Sequence, residues 1–386
     1  MLSPSPKRIR SIAPSITQQE IDAVTDAVTH GWFDNMSMHL DQFVEEFSAY
    51  CGKTYCLPVS HGTAAIHLAL LAAGVGPGDE VIVPDSTWVA SASPVLHIGA
   101  TPVLVDVEPD TWCLCPDAFE RAITEKTKAV VCVDLFGSMV DFERIIPLAR
   151  AHSIVVIEDA AEGLGSRYHG KPAGALGDIG VYSFNATKLI MGGQGGMLVT
   201  DNPDWFEKAK RLSHHGIDMQ ASGKYYWSTE LGFNYNWSNI NAALALAQLR
   251  RVDELIAHKR AVFHAYQSGL ADCPYVTLNS EPDGVFNCYW ITCAVVDPAL
   301  GLTKEALKTR FDPYNVDVRP FFYPLSAMPP FADTNPDAEK RNPHSYALSE
   351  TAICLPSGYD LTMEDVGYVC ELLKHLLNTQ ARTLEG

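Results

Sequence analysis

No apolar run in the chain approaches the ~18 residues that a membrane-spanning helix needs, and the opening MLSPSPKRIRSIAPS carries no hydrophobic signal core. A membrane partner is therefore not expected, and the cytoplasm is the expected location. Basic residues are in deficit, with 28 Lys and Arg against 46 Asp and Glu and a formal net charge of −18. That sign argues against nucleic acid as a partner, and any anionic ligand needs a local positive site. Metal spacing is missing too. The ten cysteines include one Cys-x-Cys, Cys113 and Cys115, with no second pair or His-x-x-His at ligand distance. No metal is expected, and thiols inside apolar runs such as AVVCVDLF read as buried and free in a reducing compartment. GGQGGML (192–198) leads into the strand-like MLVTD, whereas a dinucleotide fingerprint joins a strand to a helix, and its G-x-G-x-x-G spacing fails at Leu198. No Walker loop, internal repeat or low-complexity tract occurs.

What is present is a large apolar content, 47% hydrophobic and 10% aromatic over 386 residues, enough for a sizeable core and two domains. Apolar runs of strand length recur: EVIVP (80–84), TPVLVDV (101–107), AVVCVDLFG (129–137), SIVVIEDAA (153–161) and IGVYSF (179–184). Helical stretches such as CPDAFERAITEKT and DFERIIPLARAH separate them. This alternation predicts an α/β fold with a mostly parallel sheet covered by helices, whose ligands bind at the carboxyl ends of the strands. Thr17 and Glu20 fit a capping box for a helix closed by Gly31, and one long helix is expected from about Ile240 to Gly269. Beyond it the periodicity weakens and prolines gather between 313 and 331. The expected division is an N-terminal segment with a large domain over 1–265 and a small C-terminal α/β domain over 266–386.

Three places carry chemistry. In PVSHGTAAIHLALLAAG, Gly62 and Thr63 open a helix whose free N–H groups and dipole make a phosphate seat; an ordinary start capped by Thr63 or Ser60 is the alternative. Glu158 and Asp159 end a strand that should be central, where a carboxylate is costly unless a cation or ligand pairs with it. A structural salt bridge is the alternative there, and Glu162 would face the same side. Lys188 lies between an apolar run and four glycines, with Ser183 at the strand end before it. Alone it would be a solvated surface charge. Phosphate seat, strand-end carboxylate and strand-end lysine together are the contacts that pyridoxal 5′-phosphate requires.

SHGTAAIHLAL, PDSTWVASASPVLHIGATPVLVDV, EDAAEGLGSRYHGKPAGALGDIGVYSFNATK, GGQGGMLVTD and LGFNYNWSNINAALALAQL follow one another in an order that resembles the sugar aminotransferases of the DegT/DnrJ/EryC1/StrS family. The likeness runs from about residue 12 to CLPSGYDLTMEDV near the C-terminus. It implies the fold type I, aspartate aminotransferase-like architecture, with a mostly parallel seven-stranded sheet in the large domain and a smaller C-terminal α/β domain. By this resemblance Lys188 is the Schiff-base lysine and proton shuttle, and Asp159 keeps the pyridine nitrogen protonated. Trp88 stacks on the ring, a position where an isolated tryptophan would more often be core. Gly62, Thr63 and Ser183 form the phosphate cup, and Asn234 completes it from the other subunit of a homodimer with shared sites. Asn236 stands where many members have Arg. Glu162 stands where many have Gln beside the phenolic oxygen, and glutamate there resembles the perosamine synthase branch.

VRPFFYPLSAMPPF (318–331) resembles the sugar-nucleotide stretch of that branch, with Ser326 where histidine is common. Arg319 is the implied cation near the nucleotide, the alternative being a surface arginine. His214 and His215 lie in a loop near the substrate, with loop packing as the alternative. The implied reaction moves the amino group of L-glutamate to a nucleotide-linked 4-keto-6-deoxy sugar, first GDP-4-keto-6-deoxymannose to give GDP-perosamine, with a UDP- or dTDP-linked keto sugar as the alternative. A dehydrating relative would carry His at position 188, and a non-catalytic regulator would have lost Asp159, Lys188 or the phosphate cup. The glycines after Lys188 are expected to let the loop turn closely beside the sugar and the partner subunit.

Overall fold

The computed structural model describes residues 2–218 and 223–385. Seven strands build the central sheet: β1 Tyr55–Val59, β2 Glu80–Pro84, β3 Thr101–Val105, β4 Thr127–Val133, β5 Val155–Asp159, and, after the short β6 Arg167–Tyr168 and β7 Lys171–Pro172, β8 Ile179–Ser183 and β9 Gly196–Thr200. Their spatial order is β1-β9-β8-β5-β4-β2-β3. Neighbours from β3 to β8 pair in parallel. Strand β9 is antiparallel to both β8 and β1, so it alone runs against the rest. The central strands are buried almost end to end, as expected of a parallel sheet covered on both faces. Fold class and sheet type thus agree with the sequence reading.

A second sheet has the order β10 Val276–Leu278, β12 Cys293–Val296, β14 Ala352–Cys354, β13 Arg319–Pro320, and β11 Val285–Phe286 joins β6 and β7. Its helices Lys304–Phe311 and Met363–Glu385 close a second apolar cluster that includes Leu307, Phe311, Ile353 and Leu373. The proposed division at 265 falls inside helix Val252–Gly269, whose Val262 and Tyr266 belong to this second cluster together with Ile9.

The capping box forms at the first helix: Thr17 N–H donates to Glu20 Oε2 at 2.6 Å, and Gln19 N–H to Thr17 Oγ1 at 3.3 Å. The single long helix expected from about 240 to 269 is two, Asn239–Leu249 and Val252–Gly269. Arg251, at the break, leaves helical geometry and turns its guanidinium inward to Glu20 at 2.6 Å, with Glu254 at 2.8 Å. Apolar spacing is the same on either side of it, so periodicity alone does not register the break. No helix among the described residues is long and apolar enough to cross a membrane.

Candidate active site

Successive residues of a strand point to opposite faces, and the end of β5 separates two acids in this way. Glu158 turns into the loop behind the sheet, where its carboxylate accepts N–H bonds from Gly174 (2.6 Å), Leu176 (2.7 Å) and Gly177 (2.8 Å). It is structural and meets no cation among the described residues, so neither salt bridge nor ligand applies to it. Asp159 faces a cavity of about 730 Å³ at the carboxyl edge of the sheet. Ser91 Oγ donates to its Oδ2 at 2.8 Å and Ala161 N–H to its Oδ1 at 3.2 Å. Burial pushes the Asp159 carboxyl above its ordinary value, against the pull of those two bonds and of the Lys188 charge. A carboxylate kept there without a cation of its own is poised to gain one.

Helix Gly62–Ala72 starts on the same cavity, and its N-cap residue His61 makes no side-chain capping bond. Neither Ser60 nor Thr63 caps it, so the first-turn N–H groups keep their capacity for an anion. A Cβ on Gly62 would lie 3.1 Å from Ser183 Cβ, which places the helix start directly against the end of β8. Thr63 and Ser183 line the cavity beside it.

Lys188 enters from the loop between β8 and β9, which is fastened on several sides. Lys188 N–H closes a turn on Asn185 O at 2.9 Å, Trp290 Nε1 donates to Thr187 O at 3.0 Å, and Tyr359 OH donates to Leu189 O at 3.2 Å. The ammonium lies 3.1 Å from Glu162 Oε1 and 4.2 Å above the Trp290 ring. Both side chains are mostly covered, at 15% and 6% exposure, so this is not a solvated surface charge. Phe136 N–H donates to the second oxygen of Glu162 at 3.2 Å. Phe136 has φ +53°, a left-handed conformation that costs a bulky residue about 1–3 kcal/mol, and it stacks on Phe322 at 5.4 Å. The strained turn thereby aims an amide at the acid that holds the lysine.

Trp88 lines the cavity mouth, 58% exposed, with its ring 6.2 Å from Phe322. Arg319 is exposed and lines the same cavity. Ser326 does not reach the cavity: its Oγ donates to Asp85 Oδ2 at 2.6 Å, its N–H to Oδ1 at 2.7 Å, and its hydroxyl meets Tyr346 OH at 3.1 Å. In this chain it is a buried pin between the end of β2 and the wall carrying Arg319. His214, His215 and Asn234 also lie outside the cavity of their own chain, exposed on one loop surface. There Asn236 Nδ2 bonds His214 Nδ1 at 2.9 Å and donates to Asn234 Oδ1 at 3.4 Å. The glycines after Lys188 meet their own chain: a Cβ on Gly195 would strike Trp237 at 2.5 Å, and one on Gly196 the His61 carbonyl carbon at 2.5 Å.

Sequence reasoning missed Ser91, Phe136 and Trp290. Ser91 follows Trp88 by three residues and could have been read as its companion. Trp290 comes from far along the chain and carries no local signal. Taken together, the uncapped helix start, the buried Asp159 and the held Lys188 suit a phosphate, a protonated ring nitrogen and an aldehyde within one cavity, the three handles of pyridoxal phosphate.

Comparison with known proteins bears on this arrangement. The sequence model of the DegT/DnrJ/EryC1/StrS aminotransferase family matches residues 14–374. The chain is 37% identical over 376 residues to a GDP-perosamine synthase of Caulobacter vibrioides, covering 96% of this chain and 98% of that one. It is 36% identical over 365 residues to the GDP-perosamine synthase of Escherichia coli O157:H7, covering 95% and 97%. A structure described as that of a sugar aminotransferase, Spr1654 of Streptococcus pneumoniae in the PMP form, superposes with a TM-score of 0.90 at 28% identity, over 98% of this chain and 100% of that one.

Proposed function

The chain belongs to the DegT/DnrJ/EryC1/StrS aminotransferase family and is a pyridoxal-phosphate-dependent sugar aminotransferase of fold type I, and from that premise we propose that it moves the amino group of L-glutamate to the keto carbon of GDP-4-keto-6-deoxymannose, giving GDP-perosamine. The observation that carries the reading is the meeting of Asp159, Lys188 and an uncapped helix start in one cavity. The nucleotide and sugar rest on the relatives at 36–37% identity that bear that name.

When bound, the cofactor supplies an electron sink and carries the amino group from donor to acceptor. The first turn of helix Gly62–Ala72, with Thr63 and Ser183, would hold its phosphate. Asp159, kept in place by Ser91 and Ala161, would hold the proton on the ring nitrogen. Trp88 would pack against the ring. Lys188 takes a proton from donor carbon and returns one to sugar carbon, and Glu162 at 3.1 Å fixes where its nitrogen sits and keeps the ammonium in reach between transfers. Asp159 and Glu162 thus divide the work, one anion for the ring and one for the lysine. Arg319 provides the charge-assisted donor for the diphosphate that an acidic protein needs locally.

Asn234 is exposed and does not line the cavity of its own chain, and Tyr225, Tyr226 and Leu231 of the same segment are 79%, 93% and 96% exposed. A homodimer that buries this face and lends Asn234 to the partner's phosphate site accounts for both. The test of substrate is an amino-transfer assay with L-glutamate and GDP-, UDP- and dTDP-linked 4-keto-6-deoxy sugars, read by product mass. Preferred turnover of the GDP sugar supports the reading, and preference for either other nucleotide overturns it.

A further inference from the structure

Ten cysteines are free, and two pairs bring their sulfurs close: Cys51 and Cys56 at 3.9 Å, and Cys293 and Cys354 at 3.4 Å. The second pair differs in place. Cys354 lines the active-site cavity, whereas Cys293 is fully buried behind it. We propose that Cys293 and Cys354 are a thiol–disulfide modification site that a hydroperoxide entering the cavity oxidises, and that this oxidation reversibly lowers turnover.

Backbone geometry permits the bond. Cys293 and Cys354 are direct partners in the antiparallel register of β12 and β14. The adjacent rung carries the ladder bond, Leu355 N–H to Thr292 O at 2.8 Å, while Cys293 N–H leaves the ladder for Asn279 Oδ1 at 2.6 Å. The cysteines therefore occupy a non-hydrogen-bonded rung, where paired Cα atoms lie about 4.5 Å apart with side chains close. That spacing falls inside the range of roughly 4.4–6.8 Å that a disulfide spans.

The two sulfurs have distinct parts. Cys293 S–H donates to Cys354 Sγ, and burial, then this contact, hold the Cys293 thiol well above its ordinary pKa. Cys354 is thus the acceptor sulfur, solvated by a donor and open to the cavity, and it is the one that attacks. Its sulfur takes the outer oxygen of the hydroperoxide, the O–O bond breaks, and the thiol proton ends on the departing alcohol or water, leaving a sulfenic acid. Cys293 sulfur then displaces that hydroxyl as water and the S–S bond forms. Two thiols lose two electrons in all, and one peroxide bond gains them. A dithiol reverses the change.

Cys354 is also the register partner of Arg319 on its other side, in β13. Side chains on directly opposed residues share a face, so Cys293, Cys354 and Arg319 form one row across the sheet. Closing the sulfurs from 3.4 Å to a bond of about 2.05 Å, at a Cα spacing on the short end of the range a disulfide spans, resets the spacing of β12 and β14 and with it the position of the strand that carries Arg319. A displacement of about 1 Å in a positioning group costs up to ~100-fold in rate.

The experiment treats the holoenzyme with a small excess of hydrogen peroxide and then maps thiols and peptides under non-reducing conditions. Expected results are a loss of two thiols, a cross-linked pair of peptides bearing Cys293 and Cys354, and a sulfenic acid trapped by dimedone on Cys354 in the Cys293→Ala variant. Cys293 does not line the cavity, and the reduced variant should turn over like the wild type. A cross-link confined to Cys51 and Cys56, or both thiols of the proposed pair intact, overturns the site. The activity arm rests on the aminotransferase reading: with the nucleotide sugar held below its KM, turnover of the oxidised enzyme should fall by about 10- to 100-fold and return with dithiothreitol. Full activity below that KM in an enzyme in which mass mapping finds the disulfide overturns the regulatory part. The mass arm is independent of any substrate, so its failure and the failure of the sugar assignment are told apart.

Discussion

Asp159→Asn separates what the fold wants from what the reaction wants. The exchange keeps shape, and the residue is 4% exposed, with Ser91 and Ala161 as its donors. Asparagine oxygen can keep one of these bonds. The Ser91 hydroxyl, 3.1 Å from Thr87 Oγ1, can rotate to donate there and accept from the new amide. In the cofactor-free protein the carboxylate is a liability, because burial raises its pKa above 3.8. The sign follows from linkage: above 3.8 the unfolded chain binds fewer protons than the folded one, so stability falls as pH rises through the folded value. Each pKa unit of that shift is worth about 1.36 kcal/mol. Apo Asp159→Asn should therefore match or exceed the wild type at pH 8, with the gap closing toward pH 4. With the cofactor bound the order reverses. Losing the anion from a buried charge pair costs about 3–5 kcal/mol, which at ~1.4 kcal/mol per decade is roughly 10²–10⁴ in turnover. Urea denaturation of the apoprotein at both pH values and single-turnover amino transfer are the two measurements. A variant that transfers within about threefold of wild type, under ~0.7 kcal/mol, refutes the role of Asp159. A variant whose apoprotein is destabilised at pH 8 refutes the electrostatic account.

Lys188→Ala should abolish the visible cofactor band that glutamate bleaches and reduce turnover by about 10³-fold or more; an unaltered band removes that lysine from the reaction. Arg319→Ala should raise KM for the nucleotide sugar by roughly 10- to 100-fold with kcat little changed, the mark of lost uniform binding. In a dimer mixing Asn234→Ala with Lys188→Ala subunits, one of the two sites should lose both groups and the other neither, so half the wild-type activity returns if sites are shared and the cofactor-retention defect stays with the partner's site. Glu20 is buried, which raises its pKa, but bonds from Thr17, Arg251 and Gln248 outweigh burial and hold it at about 2. Its contribution is full above pH 4.5 and is lost as pH falls toward 2, so Glu20→Gln should cost about 3 kcal/mol in urea at pH 7 and progressively less below pH 4.

What was legible in the chain followed from rules that act over a few residues. Strand runs, the Thr17 capping box and the helix opening at Gly62 all declare themselves through period, cap or dipole. Asp159 and Lys188 were legible because a carboxylate at a central strand end and a lysine among glycines are both odd placements. Glu158 shows where that reasoning ends. It and Asp159 share composition and position, and only the pleat, with the donors of Gly174, Leu176 and Gly177, makes one structural. Trp290 and Phe136 were illegible because nothing within their own segments places them under Lys188 and beside Glu162. Ser326 was legible as a departure, yet its partner Asp85 is 241 residues away, and only the fold reveals that the substitution feeds a buried clamp.

One reversed strand explains why the lysine is available at all. Had β9 run parallel to β8, the chain would have had to cross to the amino edge of the sheet, and the connection would have carried Lys188 away from the cavity. Because β9 is antiparallel, with Gly196 opposite Ser183, residues 184–195 must stay at the carboxyl edge. The loop is closed on itself there: Phe184 N–H bonds Gly195 O at 2.9 Å, Gly192 N–H bonds Phe184 O at 2.8 Å, and Ala186 N–H bonds Gly193 O at 3.0 Å. Strand β9 can return only by passing the start of helix Gly62–Ala72, where a Cβ at Gly196 would sit 2.6 Å from Gly62 N. The glycines are thus needed for the same approach that brings the helix N-terminus against Ser183. The proposed phosphate seat and the lysine loop are consequently tied to one backbone contact, and a side chain at 196 would disturb both together.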